Sequence, residues 1–369
     1  MIDLPISKIG NLELNVLQGP MGVGISGKSL ASAVANCGGG GMIPAVGLSE
    51  ARNAGGIEIN QGNYIKENQK ALRAEIREAR ALVSPGAKGF IGVNVMHALT
   101  DFEPLVQVAS EEEVDLLTAS AGFDPNLMSL VGKNTKVGIV ISYGKFARKV
   151  CEIYEKAGRL PDLLIVEGPK AGGHLGYGRR KLDNPEFLES SLEREIQRTK
   201  EIAEKFGNIP VFAAGGISNG YHIREARRWG AEGVQIATAF IPTKECDASK
   251  EFKMLHLDAN EEDVVIIDSP VGMPGRAINN DFLRKVAAGE KIPVKCLYKC
   301  LKKCNPKEAP YCIAKALIAA QRGDLENGFA FTGSNVHLST RELYLDAKGE
   351  FVTVRDVFER FSREYREAA

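Results

Sequence analysis

With 369 residues, 44% of them hydrophobic and 25% charged, the chain can bury a full core, either as one large α/β barrel or as two ordinary domains. Lys plus Arg and Asp plus Glu number 47 each, which removes the charge argument for a nucleic-acid or anionic-membrane partner. No apolar run approaches the ~20 residues of a membrane span, and residues 1–5 show no charged segment leading into an apolar one, so a cytoplasmic protein without a secretory signal is expected.

Strand-like apolar runs recur at 12–17, 41–46, 89–96, 114–120, 136–142, 163–166, 209–214 and 233–240, eight in all. Amphipathic helical patterns lie between them, clearest at 64–83, 145–157, 192–206 and 221–229. Alternation of this kind predicts a parallel sheet, and eight such units predict an α/β fold closed as a (β/α)8 TIM barrel. An open doubly wound sheet is the other arrangement, but no G-x-G-x-x-G opens a helix after the first strand. The expected boundaries are a barrel at 1–268, a small C-terminal helical subdomain on the substrate side with a cysteine cluster at 269–345, and a C-terminal helix at 346–369.

In such a barrel the active site lies where strands end. The first strand ends in Gln18-Gly19-Pro20-Met21-Gly22, and the third carries Asn94 where a strand core would place an aliphatic side chain. The fourth ends in Thr118-Ala119-Ser120-Ala121-Gly122 and the fifth in Ser142-Tyr143-Gly144-Lys145. The sixth breaks into Glu167-Gly168-Pro169-Lys170-Ala171-Gly172-Gly173-His174, with Gly176 and Gly178 following. Glycines there let backbone N–H groups approach a ligand, so this stretch reads either as a cradle holding a general base or as a plain turn with an exposed His. The seventh ends in Ala213-Ala214-Gly215-Gly216-Ile217-Ser218 and the eighth in Gln235-Ile236-Ala237-Thr238. Loops after the last two strands make phosphate sites in many barrels, so Gly215, Gly216 and Thr238 suit a phosphate, although tight strand–helix packing also favours Gly. Small and polar strand ends are what a flat, phosphate-bearing cofactor across the barrel mouth would need.

Beyond the eighth strand comes a Pro/Gly-rich return loop, 268–279, in which Arg276 could meet an anionic substrate or form a structural salt bridge. Cys296, Cys300, Cys304 and Cys312 then follow with C-x3-C-x3-C-x7-C spacing. On a helix the first three would share a face. Four thiolates can bind a [4Fe–4S] cluster or a structural zinc, with the cluster placed ahead of zinc and of no metal. Lys299, Lys302 and Lys303 would offset the charge of such a centre. Of the other histidines, His97 reads as structural or pocket-lining, and His222 and His256 as surface residues. The 354–369 tail reads as an amphipathic helix packed on the barrel exterior or on a partner subunit.

Five motifs in order, Gln18-Gly19-Pro20-Met21-Gly22, Gly92-Val93-Asn94, Ala171-Gly172-Gly173-His174-Leu175-Gly176, Ala213-Ala214-Gly215-Gly216-Ile217 and Gly233-Val234-Gln235, together with Gly328-Phe329-Ala330-Phe331-Thr332-Gly333, resemble the nitronate monooxygenase (2-nitropropane dioxygenase) family. They are also similar to its sister, the flavin-dependent enoyl-acyl-carrier-protein reductases. The resemblance covers roughly residues 10–340 and implies non-covalent FMN. It would set the phosphate on Gly172, Gly173, Gly215, Gly216 and Thr238. The ring would lie against Pro20, Met21 and Gly22, with Asn94 and Gln235 at its polar edge. His174 would be the catalytic base, and Ser334 and Asn335 would lie near substrate, with His337 just past them. Two departures bear on substrate more than on FMN: Pro169-Lys170 before AGGH, and Ala237 where the family has Gly. Lys170 is expected in solvent rather than beside the cofactor.

The resulting expectation is a flavoprotein oxidising alkyl nitronates. The alternative is an NAD(P)H-dependent enoyl-thioester reductase, with an Fe–S cluster as an optional electron relay. A non-catalytic phosphate-ligand barrel is the third class. The expected partner is a small molecule, nitronate or enoyl thioester, with no nucleic acid or membrane and with a homodimer open to it.

Overall fold

A computed structural model describes residues 15–53, 56 and 58–368; the 1–5 segment and the 12–14 part of the first expected strand lie outside the described residues. Eight parallel strands close a barrel: β1 (Asn15–Gln18), β2 (Gly40–Pro44), β3 (Phe90–Met96), β4 (Leu116–Ser120), β5 (Lys136–Ile141), β6 (Leu163–Glu167), β8 (Val211–Ala214) and β9 (Gly233–Ile236). The seam is β1 against β9, with Leu17 opposite Gln235. A second sheet of three antiparallel strands stands at the mouth, made of β7 (Gly173–His174), β10 (Val264–Asp268) and β11 (Pro274–Ile278).

Strands buried on both faces need apolar side chains on both, which is why they read as continuous runs. Leu17, Met42, Phe90, Leu116, Leu163, Ile165 and Phe212 fill the barrel interior. Glycine makes room for the largest of them: a Cβ at Gly233 would stand 2.3 Å from the Phe212 ring. The outward faces pack on the surrounding helices as one larger core.

The helices fall where the periodicity places them, at Tyr64–Ala81, Gly144–Lys156, Pro185–Ala203 and Gly220–Arg228. The third begins seven residues before its expected start, 185 against 192. Asn184 caps it by accepting the Phe187 N–H at 3.1 Å, and Pro185 occupies the first turn, where its missing N–H costs nothing.

The tail helix, Val354–Glu367, packs on the barrel exterior rather than standing apart. It lies between the helices Lys28–Asn36 and Gly220–Arg228, burying Phe358 and Phe361 against Phe240. That slot belongs to the barrel's eighth helix. Residues 237–353 are therefore an excursion between the eighth barrel strand and its own helix.

The excursion is not purely helical, since it carries β10 and β11 as well as the helices Asp281–Ala287 and Ile313–Gln321. The helical arrangement of the first three cysteines is corrected here, because no helix covers Cys296, Cys300 or Cys304. Pro293 and Pro306 bracket them, and Lys299 sits at φ 52°, outside helical space. Among the described residues, no helix is long and apolar enough to cross a membrane.

Candidate functional site

A cavity of about 330 Å³ opens at the carboxyl ends of the barrel strands. The structure brings together on its wall Pro20, Met21, Gly22, Asn94, Gly172, Gly173, His174, Gly215, Gly216, Gln235 and Thr238. These are all the residues singled out for cofactor and base. Lys170, His97 and Ser334 are not on it, whereas Asn335 is.

The loop after β1 is fixed from below. Gly19 N–H donates to the Ile236 carbonyl at 2.7 Å, and Met21 N–H donates to Ser26 Oγ at 2.8 Å. Gly22 passes so close to the segment after β2 that a Cβ there would stand 2.3 Å from the Val46 side chain. Asn94 is held in the barrel wall: its Nδ2 donates to Thr118 Oγ1 at 3.0 Å, and its Oδ1 accepts from Ser120 Oγ at 3.2 Å. Gln235 differs. Its Oε1 is buried, lacks any hydrogen-bond partner and belongs to a cavity-lining side chain, so it has acceptor capacity for a bound group.

The glycine loop after β6 is shaped by Arg276, whose guanidinium donates to the carbonyls of Pro169 and, at 2.6 Å, Ala171. Arg276 is 3% exposed and makes no ion pair among the described residues, which corrects the expectation of a structural salt bridge. Burial pulls its pKa down to about 10. Lys170, expected in solvent, is half-buried and paired with Glu189 at 2.6 Å.

Gly173, Gly215 and Gly216 hold φ of 77°, 89° and 85°, a region that other residues occupy only under strain. A Cβ at Gly172 would meet the Thr332 carbonyl carbon at 2.5 Å. The 330–335 strip lies across these loops. Gly333 N–H donates to Thr238 Oγ1 at 3.0 Å, and Asn335 Nδ2 donates to the Gly216 carbonyl at 2.7 Å. Thr238 thus keeps its own hydroxyl proton free to donate.

His174 ends β7, opposite Gly275 of β11. Its Nε2 stands 2.8 Å from Ser269 Oγ, and its ring meets the Phe331 ring edge-on at 5.0 Å. Burial depresses its pKa to about 4, so the imidazole is neutral at pH 7, in the form that has an open ring nitrogen but a lower basicity than in water.

Two residues on or behind the wall escaped the sequence reading. Glu167, at the end of β6, lines the cavity, and burial pushes its carboxyl up to about 7. The charge closing the run Leu163-Leu164-Ile165-Val166-Glu167 was the available signal. Ser269, which backs the imidazole, left none, because its contact spans 95 positions.

The histidines expected at the surface divide. His256 is fully buried, which corrects that expectation, with Nδ1 2.9 Å from the Phe252 carbonyl and Nε2 3.2 Å from the Phe331 carbonyl. His222 is half-buried against Ser218. His97 packs edge-on against Phe102 at 5.1 Å and faces Asp124. His337 does not line the cavity.

The family model described as "NMO: Nitronate monooxygenase" matches residues 5–346. A Staphylococcus saprophyticus subsp. saprophyticus protein described as a probable nitronate monooxygenase is 35% identical over 125 residues, 34% of either chain. This chain thus spans about a third of the length of the curated relatives it matches in that way. A Mycobacterium tuberculosis protein described as (3aS,4S,5R,7aS)-5-hydroxy-7a-methyl-1-oxo-octahydro-1H-indene-4-carboxyl-CoA dehydrogenase is 27% identical over 291 residues, 78% of this chain and 69% of its own. Among solved structures, FabK from Thermotoga maritima is similar with a TM-score of 0.70 and 27% identity, covering 96% of this chain and 93% of its own.

Proposed function

The chain belongs to the nitronate monooxygenase family, and from that premise we propose that it is an FMN-dependent oxidoreductase that oxidises alkyl nitronates, with His174 as the base. The observation that carries this reading is a single wall holding a neutral imidazole, a glycine cradle and an unpaired Gln235 carbonyl. Gly172, Gly173, Gly215, Gly216 and Thr238 would hold the phosphate through backbone N–H groups and one hydroxyl. Pro20, Met21 and Gly22 would back the ring, with Gln235 and Asn94 at its polar edge.

A bound flavin supplies a two-electron acceptor and donor. The chain's own residues manage the proton. His174, kept neutral by burial, takes it, and Ser269 holds the imidazole in place. Met21, Met273, Ile241 and Phe331 give the cavity an apolar side suited to an alkyl chain and exclude water from the reacting carbon. All seven cysteines are unbridged, which fits a reducing, cytoplasmic setting.

A second reading is NAD(P)H-dependent reduction of an enoyl thioester. It draws support from the M. tuberculosis relative, a carboxyl-CoA dehydrogenase by its description, which matches over most of its length. The same apolar wall would take the acyl chain.

The test is the absorption spectrum of the purified protein before and after anaerobic addition of an alkyl nitronate, then separately of NAD(P)H. Flavin bands that bleach with nitronate support the first reading. Bleaching by NAD(P)H alone, followed by reoxidation with an enoyl thioester, moves the assignment to the second. Protein that neither carries nor takes up flavin overturns both.

A further inference from the structure

One motif is not absorbed by the flavin site. Cys296, Cys300, Cys304 and Cys312 lie on or at the end of an irregular loop between the helices Asp281–Ala287 and Ile313–Gln321. All four are half-buried and none is bridged.

The middle of the loop is stitched to the segment after β3. Thr100 N–H donates to the Cys300 carbonyl at 3.0 Å, Thr100 Oγ1 donates to the Lys299 carbonyl at 2.9 Å, and Lys302 N–H donates to the Ala98 carbonyl at 3.0 Å. Cys312 is the N-cap of the helix Ile313–Gln321. Cys300 shares a small apolar pocket with Ala314 and Ile318 of that helix, which brings it beside the first turn that Cys312 caps. All four lie within electrostatic reach of one another: burial first, and then Cys312, Cys296 and Cys304, push the Cys300 thiol up, and burial, then Cys296 and Cys312, push up that of Cys304.

Four unbridged thiols gathered on one loop and on the cap of the helix that follows it form a ligand set. Among the described residues, no three His, Cys, Asp or Glu side chains already surround a single-ion point. A zinc ion, with each sulfur about 2.3 Å from the metal, requires that tight grouping. A four-iron cube carries its ligands farther apart. Lys295, Lys299, Lys302 and Lys303, all exposed, bracket the cysteines and offset the negative charge of a thiolate-bound centre.

We propose that Cys296, Cys300, Cys304 and Cys312 ligate a [4Fe–4S] cluster. The site lies one layer of side chains from the barrel-mouth cavity: Val46 lines both that cavity and the pocket beside Cys300, and Leu317 of the capped helix reaches the cavity wall.

The experiment is iron, acid-labile sulfide and zinc analysis of the full chain, purified anaerobically and again after anaerobic treatment with iron and sulfide, with electron paramagnetic resonance after dithionite reduction. The expected result is about four irons and about four sulfides per chain. In Cys300→Ser and in Cys312→Ser the content falls to below about one iron, with flavin content unchanged. Cys37→Ser, remote from the loop, keeps the full complement. If Cys300→Ser does not fold, Cys304→Ser takes its place, and the wild-type metal analysis stands by itself. Zinc without sulfide, no metal after treatment with iron and sulfide, or a cluster retained by the Cys300 and Cys312 variants would each overturn the proposal. Flavin content is read separately, so a protein with iron but no flavin would sink the flavin reading alone.

Discussion

Ser269 Oγ stands 2.8 Å from Nε2 of His174, and the same oxygen accepts the Val271 N–H at 3.3 Å. With Nε2–H donating to that oxygen, Nδ1 would be the nitrogen left to take a proton in the proposed reaction. His174→Gln is expected to lower kcat by about 10² to 10⁴, the usual span for a general base. Ser269→Ala removes only a positioning bond, so a fall of about tenfold in kcat is expected, with KM and flavin content unchanged. Steady-state kinetics on the two variants check both values, and a Ser269→Thr protein that regains most of the rate identifies the hydroxyl as the cause.

Glu167 and His174 oppose one another in their effect on stability. Burial raises the Glu167 carboxyl from 4.5 to about 7, so between those values the folded chain holds a proton that the unfolded chain has released. That contribution is lost as pH rises through the window. Burial lowers His174 from 6.5 to about 4, so there the unfolded chain binds the extra proton, and stability is lost as pH falls. Where the windows overlap, the two slopes cancel. In flavin-free protein, Glu167→Gln is expected to unmask a Tm that climbs from about pH 4 to 6.5, and His174→Gln one that declines from about pH 4.5 to 7. Tm scans across pH for the three proteins decide this, and parallel curves would refute it.

Gln235 separates stability from binding. Its Oε1 is buried without a partner, which costs about 1–3 kcal/mol in the empty protein. Gln235→Met keeps the shape and removes the orphan, so the flavin-free protein should melt higher while its affinity for FMN falls. Calorimetry and FMN titration on the same samples measure the two effects.

Arg276 is the tie beneath the glycine loop. Arg276→Met leaves the Pro169 and Ala171 carbonyls without their donor, at a cost of about 1–3 kcal/mol for each buried acceptor. The expected outcome is a lower Tm together with at least tenfold weaker FMN binding, read by fluorescence titration.

The barrel was legible because its strands are local objects. Val137, Leu163 and Val211 sit in apolar runs that announce doubly buried strands, and the seven-residue strand β3 shows even with Asn94 inside it. What escaped was either weakly periodic or distant in sequence. Asn184-Pro185 signalled a helix start, but Glu186, Glu189 and Ser190 hid the apolar stripe of its first turns. The strand β7 is two residues long and exists through Gly275 and Arg276, about a hundred positions away, so no local pattern could reveal it. The cavity residues were legible as glycines and polar side chains at strand ends. Arg276 was visible as a residue, but its bonds to carbonyls follow from tertiary placement that spacing does not encode.

The helix Val354–Glu367, which occupies the eighth position of the ring, is made after the whole excursion above the mouth. As the chain emerges, the residues of every cavity wall and of the cysteine loop are therefore synthesised before the helix that closes the ring. A change in Phe358 or Phe361, neither of which lines the cavity, would therefore act by loosening the closing helix from Phe240 rather than by altering the site.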